Sequence, residues 1–331
     1  MKIMVYEARP DERADLEKQA ALHGVELSVT DAGPTLENAS LAAGCIGVSI
    51  LGQGCIDAAL LDAYHALGIR YLSTRTIGYD HIDLDHARSI GLRVCSASYA
   101  PNGVADFTVM MILMCLRHYK QALWRGQVND FSLTGLQGRE MKDLTIGIIG
   151  TGRIGAQVVR NLSGFGCRIL AYDLRRNPAV EPQVTYVDFD TLLAQSDVIT
   201  LHMPLLDSNR HIINRESVAK MRDGVVIVNC SRGELADIEA LIEGIETGKI
   251  GALGMDTVEG DEGIIHADHR VDILPNRNWF YLHQFRNVIM TQHMAFYTDA
   301  AVSSMVDCGI GGICQMAAGE SCPTELTGPV Q

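Results

Sequence analysis

Residues 144–155 read Leu-Thr-Ile-Gly-Ile-Ile-Gly-Thr-Gly-Arg-Ile-Gly, and residues 168–173 read Arg-Ile-Leu-Ala-Tyr-Asp. An apolar run, a glycine-rich turn, the start of a helix and a second apolar run ending in an acid form the layout of a dinucleotide-binding βαβ unit. In that layout Gly150 permits a tight turn, Gly152 lets the backbone approach a pyrophosphate, and Gly155 lets helix and strand pack closely. The helix N-terminus then offers free N–H groups and the positive end of its dipole. Asp173, eighteen residues after Gly155, is placed to accept hydrogen bonds from the adenosine ribose.

A chain of 331 residues is long for one core and predicts two domains. The 27 Lys and Arg against 40 Asp and Glu give a net charge of -13, which argues against nucleic acid or an anionic membrane as the main partner. An anionic substrate must therefore be drawn in locally, by particular cations and backbone N–H groups. The longest uninterrupted apolar run, residues 109–116, is too short to span a bilayer, and MKIMVYEARP lacks the build of a signal peptide. A cytoplasmic location is expected. Nine cysteines, an odd number with no C-x-x-C spacing, read as reduced and mostly buried thiols.

The first hundred residues alternate strand candidates at 3–6, 25–29, 46–50, 70–73 and 92–96 with helices near 10–23, 57–67 and 84–90. That alternation predicts a parallel sheet covered on both faces, without a phosphate-type glycine fingerprint. Residues 99–103, Tyr-Ala-Pro-Asn-Gly, break the pattern. From 104 to 119 the chain reads as a helix apolar nearly all round, buried between domains or against another subunit. Strands resume at 145–149, 167–172, 184–187, 198–202, 225–229, 252–256 and 288–291, and a last helix covers 298–317. The fold class expected is α/β, two Rossmann-like, doubly wound parallel-sheet domains separated by a cleft. Residues 1–101 with 297–331 would form the substrate-binding domain and residues 102–296 the cofactor domain.

Ligands of open α/β sheets sit beyond the carboxyl ends of the strands. Met203-Pro204, Cys230-Ser231-Arg232-Gly233, residues 256–262 and Gln292-His293 follow successive strands, so an arginine, acids and a histidine converge where a nicotinamide would lie. That set suits carbonyl reduction, with Arg232 pairing with a carboxylate and polarising the adjacent ketone and His293 giving a proton as hydride arrives. His202, at a similar strand end, reads as packing, and Trp279, Phe280 and Tyr281 as packing rather than a cap.

The segments STRTIGYDHID (73–83), SYAPNGVADFTV (98–109), GIIGTGRIG (147–155), LHMPL (201–205), VNCSRGEL (228–235), GMDTVEGDEG (254–263) and QHMAFYT (292–298) resemble the NAD-dependent D-2-hydroxyacid dehydrogenases. Within that family the chain looks most like the D-lactate dehydrogenases, including the branch found with vancomycin resistance. The resemblance implies Arg232 as substrate-binding arginine and His293 as acid/base. Backbone N–H groups of Ile77 and Gly78 would hold the substrate carboxylate, with Tyr99 and Phe296 lining the pocket. Arg153 and Ile154 would meet the pyrophosphate; Met203, Pro204, Asn209, the backbone at Cys230 and Ser231 would line the cofactor site. Asp256 would hold the nicotinamide amide. The family's glutamate falls in register on Asp261, next to Glu262, so Asp261 is assigned to support His293 with a reach shorter by one methylene.

The reaction implied is NADH-dependent reduction of a small, pyruvate-like 2-oxo acid to the D-2-hydroxy acid, and its reverse. Larger aliphatic, aromatic or phosphoglycerate-type acids are the alternatives. Asp173 would repel a 2′-phosphate and favours NAD, although Arg175 and Arg176 could tolerate NADP. An NAD-responsive corepressor and a metal enzyme using His266 and His269 are rival readings; no metal is expected. The apolar helix suggests a homodimer.

Overall fold

The computed structural model describes residues 1–52, 54–274 and 276–328, and the chain divides into two compact units, Met1–Ala100 with Tyr297–Gln331 and Pro101–Phe296. In the first unit five parallel strands, β1 (Lys2–Val5), β2 (Glu26–Val29), β3 (Gly47–Ile50), β4 (Tyr71–Thr74) and β5 (Arg93–Cys95), run in the order β2-β1-β3-β4-β5. Side chains alternate across the sheet. Ile3 and Val5 join Leu16 and the helix Asp299–Ala317 on one face, while Met4, Val48 and Ile50 pack with Leu60, Leu61 and Tyr64 of the helix Ala58–Ala66 on the other. Each fully buried aliphatic side chain contributes roughly 1.5–3 kcal/mol relative to exposure. Asp57 and Asp83 start their helices by accepting from the N–H groups of Leu60 and His86.

By length and composition the helix Asp299–Ala317 is apolar enough to cross a bilayer, yet over half of it is buried inside its own unit, where it packs on β4 and the helix Arg13–His23. The chain after it returns along β5. Ser96 N–H donates to Thr324 O, Leu326 N–H to Val94 O, and Arg93 grips the Glu325 carboxylate with two nitrogens at 2.8 and 2.7 Å. This segment covers a sheet edge that would otherwise present unpaired N–H and C=O groups. All nine cysteines are free, five of them buried and only Cys55 exposed.

The second unit holds β6 (Thr145–Ile149), β7 (Arg168–Tyr172), β8 (Thr185–Tyr186), β9 (Val198–Leu201), β10 (Val225–Asn229), β11 (Ile250–Met255) and β12 (Val288–Met290), all parallel, in the order β12-β11-β10-β9-β6-β7-β8. The strand order reverses between β6 and β9, the switch point at which a doubly wound sheet opens a crevice beyond its strand ends. β9 and β10 are buried at every position, as central strands covered on both faces must be.

The helix expected over 104–119 runs Asn102–Leu116 and stops because His118 takes a left-handed conformation, φ 50°. A second helix, Tyr119–Gln127, follows. The segment 276–285 forms the helix Arg277–His283, started by Asn276 accepting from Trp279 N–H. Trp279 packs on the unit's core and stacks on His283 with ring centroids 5.5 Å apart, while Tyr281 donates to Glu246 at 2.6 Å.

Candidate active site

The glycine-rich turn does what its sequence predicts. Gly150 has φ 93°, and a Cβ there would lie 2.6 Å from the His202 carbonyl oxygen, so only glycine lets the turn pass the end of β9. A Cβ on Gly155 would run into the Gly150 carbonyl, whereas one on Gly152 would meet nothing within 4 Å. Gly152 thus stands open at the head of the helix Arg153–Ser163. The first-turn N–H groups there have no intrahelical acceptor by construction of any helix.

Asp173 Oδ2 accepts from Thr151 N–H at 2.6 Å and Thr151 Oγ1 at 3.1 Å, and its Oδ1 accepts from Arg175 N–H at 2.9 Å. The acid therefore ties the glycine turn to the end of β7, and these bonds use three of its roughly four lone-pair sites. Arg176 lies over the Tyr186 ring at 5.5 Å. Asn209 shapes the loop after β9, donating to Pro204 O at 2.8 Å and Met203 Sδ at 3.4 Å while accepting from Leu206 N–H. His202 is pushed down to about 3 by burial, so its imidazole is neutral at ordinary pH; Nε2 lies 3.0 Å from Thr200 Oγ1. That is a packing role.

Three strand ends build the reactive cluster. Asn229, last in β10 and fully buried, accepts from Ser231 N–H (3.0 Å) and Ser231 Oγ (2.9 Å) and donates to Arg232 O at 2.7 Å. It folds the turn 230–232 that presents Arg232, whose Nη1 donates to Ser231 O at 2.8 Å. Sequence reading passed over Asn229, although an Asn that closes an apolar run is the ordinary signal of such a side-chain turn. A Cβ on Gly233 would fall 2.6 Å from Val258 O, so glycine lets this turn lie against the loop after β11. Burial pushes the Cys230 thiol upward, leaving it unreactive.

Asp256, just past the end of β11, is 1% exposed. Its Oδ1 accepts from Thr291 Oγ1 (2.6 Å) and Met294 N–H (2.9 Å), and its Oδ2 from Ala295 N–H (2.8 Å). These bonds clamp the loop that carries His293, itself held at φ 52°. His293 is pushed down to about 4, first by burial, then by the positive charge of Arg232 and by His266, against the raising effect of Asp256. Arg232, Asp256, His266 and His293 thus act on one another electrostatically. His266, read earlier only as a metal candidate, places Nε2 3.3 Å from His293 O with the two rings 6.1 Å apart, and Phe296 stands edge-on to both at 6.4 Å. His269 bonds instead to Asp272 at 2.8 Å.

The expected pairing of Asp261 with His293 is not formed. Asp261 Oδ2 accepts from Val258 N–H at 3.1 Å, a donor three residues away that a side chain one methylene shorter than glutamate meets first. Burial, with Glu234, Glu262 and Asp256 adding to it, raises its carboxyl to about 6. The carboxylate that bears on His293 is Asp256. Asp256→Asn, which turns one carboxylate oxygen into an NH2 group facing a buried donor at a cost of about 1–3 kcal/mol and removes the charge, is expected to lower kcat for 2-oxo acid reduction roughly 30-fold or more. Asp261→Asn should stay within about threefold; steady-state kinetics on the two variants check the order.

Ile77, Gly78 and Tyr99 lie in the first unit, after β4 and β5. The N–H groups of Ile77 and Gly78 make no hydrogen bond among the described residues, so both donors are available to an anion.

Comparison with known proteins bears on this arrangement. Residues 109–295 match the family model described as D-isomer specific 2-hydroxyacid dehydrogenase, NAD binding domain. The chain is similar to the aromatic 2-oxoacid reductase of Clostridium sporogenes, 42% identical over 311 residues that cover 93% of each chain. It is 36% identical to the D-lactate dehydrogenase of Escherichia coli over 328 residues, 98% of this chain and all of that one. Among solved structures it is similar to the NAD-complexed D-isomer specific 2-hydroxyacid dehydrogenase of Lactobacillus delbrueckii ssp. bulgaricus, at 30% identity and TM-score 0.84 over 98% of this chain and 100% of that one.

Proposed function

The chain belongs to the D-isomer specific 2-hydroxyacid dehydrogenase family, nicotinamide-dependent oxidoreductases of 2-oxo and 2-hydroxy acids, and on that premise we propose that it reduces a small, pyruvate-like 2-oxo acid to the D-2-hydroxy acid with NADH. The observation that carries this reading is the cluster of Arg232 and His293, close enough for one charge to shift the other's proton affinity. The cofactor supplies hydride when bound. Arg232 pairs with the substrate carboxylate and polarises the ketone, and His293 holds the proton that the ketone oxygen receives. Ile77 and Gly78 give their N–H groups to the carboxylate, and Tyr99 and Phe296 border the substrate side chain.

The glycine turn fits a dinucleotide, with the open backbone at Gly152 beside Arg153 and Ile154 for the pyrophosphate and Asp173 for the ribose. Asp173 also disfavours a 2′-phosphate, which makes NAD the cofactor over NADP. A homodimer would cover the exposed apolar side chains Met110, Leu123, Trp124, Phe131 and Leu133 on and after the helix Asn102–Leu116.

The second reading, an aromatic 2-oxo acid, is favoured by the similarity to the Clostridium sporogenes enzyme. NADH oxidation with pyruvate, branched 2-oxo acids and phenylpyruvate under saturating cofactor separates the two. The first predicts the highest kcat/KM for pyruvate, the second for phenylpyruvate, and no turnover with any of them would refute both.

A further inference from the structure

The turn 76–82 is held by a chain of side-chain hydrogen bonds whose direction can be worked out from proton counting. Thr76 Oγ1 lies 2.6 Å from Gly78 O, and a carbonyl only accepts, so the single hydroxyl proton of Thr76 points there. Thr74 Oγ1 is 2.6 Å from Thr76 Oγ1 and must therefore be the donor of that pair. With its own proton committed, Thr74 can only accept from His81 Nε2, 3.3 Å away. The chain runs one way, from His81 Nε2–H to Thr74, to Thr76, to the Gly78 carbonyl. It requires the proton of His81 on Nε2, and bonds aligned in this sense strengthen one another.

The surroundings keep the relay in place. Thr74 is fully buried at the end of β4. The His81 ring rests on Gly52, where a Cβ would come within 2.8 Å of Cε1 and Nε2. Gly52 has φ 85°, and its N–H and that of Leu51 both donate to Glu7 Oε2. The ends of the turn are pinned by Ala97 N–H to Thr76 O (2.9 Å) and Ile56 N–H to His81 O (2.7 Å). The acceptors that these bonds use are tied inward, while the N–H groups of Ile77 and Gly78 make no hydrogen bond among the described residues.

We propose that His81, acting through Thr74 and Thr76, is a positioning residue for the two backbone N–H groups that receive the substrate carboxylate. The inference rests on the reading that Ile77 and Gly78 hold that carboxylate. The Gly78 carbonyl fixes the peptide unit that joins residues 78 and 79, and the Thr76 carbonyl, held by Ala97 N–H, fixes the unit that carries the Ile77 N–H; the unit between them, which carries the Gly78 N–H, is then bracketed by two held planes. A turn held this way binds the anion without first ordering itself, and a turn that has lost the relay must order on binding.

The test uses the whole chain with NADH and whichever 2-oxo acid the wild type reduces, together with oxamate as a non-reducible carboxylate analogue. Thr76→Val and His81→Leu are each expected to raise KM for the 2-oxo acid and the inhibition constant of oxamate about tenfold. KM for NADH should stay unchanged and kcat within about threefold. The double variant should be no worse than the poorer single one, because both break the same chain. His81→Gln, which keeps an N–H donor at the ε position, should recover most of the lost affinity. If His81→Leu fails to fold, Thr76→Val decides alone. A KM and oxamate constant within twofold of wild type for Thr76→Val, or full additivity in the double variant, would overturn the inference while leaving the reductase reading intact. A wild type that reduces no 2-oxo acid would remove the reading beneath it as well.

Discussion

Replacing His293 with glutamine is expected to lower kcat/KM for 2-oxo acid reduction by about 10³, within the range a positioned general acid contributes. NADH binding should persist, because the glycine turn at 150–155 and Asp173 are untouched. The pH dependence gives the sign. Reduction needs the imidazole protonated and oxidation of the hydroxy acid needs it neutral, so reduction should weaken and oxidation strengthen as pH rises. In the ligand-free chain His293 sits at about 4, held down by burial, Arg232 and His266 and opposed by Asp256. An anion that pairs with Arg232 offsets one of the charges that lower it, so binding of the 2-oxo acid should draw a proton onto the enzyme. The glutamine variant should lose both limbs of the pH profile. Rate measurements in both directions from pH 5 to 9 check this.

Arg232→Lys is the second large effect expected. Lysine keeps the charge but presents a point donor in place of the planar fork that meets a carboxylate and a carbonyl together, and kcat/KM should fall about 100-fold, most of it through KM. Arg232→Leu should go further and also move His293. The guanidinium is one of the groups that depress the imidazole, so its removal should raise the histidine from about 4. An NMR titration of the His293 ring in the leucine variant reads that shift directly, and it separates an electrostatic neighbour from a distant structural arginine.

The parallel sheets were legible because their strands are short apolar runs of the length a doubly wound sheet buries, and the glycine turn because Gly150 and Gly155 each answer a separate steric demand. Arg232 and His293 were picked out from strand ends alone, since the fold class dictates on which side of the sheet those ends open. The end of the apolar helix could not, because neither glycine nor proline marks it and the break lies in the left-handed backbone of His118. The clamp that Asp256 makes on the loop 291–295 was not legible, because its three donors lie thirty-five or more positions away and two of them are backbone N–H groups that no residue type announces. The Asp261 assignment failed for a related reason. Register placed the acid correctly along the chain, but the choice between the Val258 N–H and His293 depends on one methylene and on the path of the loop. His266, which the sequence offered only as half of a rival metal pair, stands as a ring set against His293.

The arrangement of Arg232 and His293 about one carbonyl is the claim on which the proposed chemistry depends, and a crystal structure of the chain with NADH and oxamate tests it most directly. It should show a guanidinium nitrogen of Arg232 within about 3 Å of a carboxylate oxygen of oxamate and a ring nitrogen of His293 within about 3 Å of the amide oxygen that stands in for the ketone. Oxamate bound away from these two side chains, with His293 turned from it, would contradict the account.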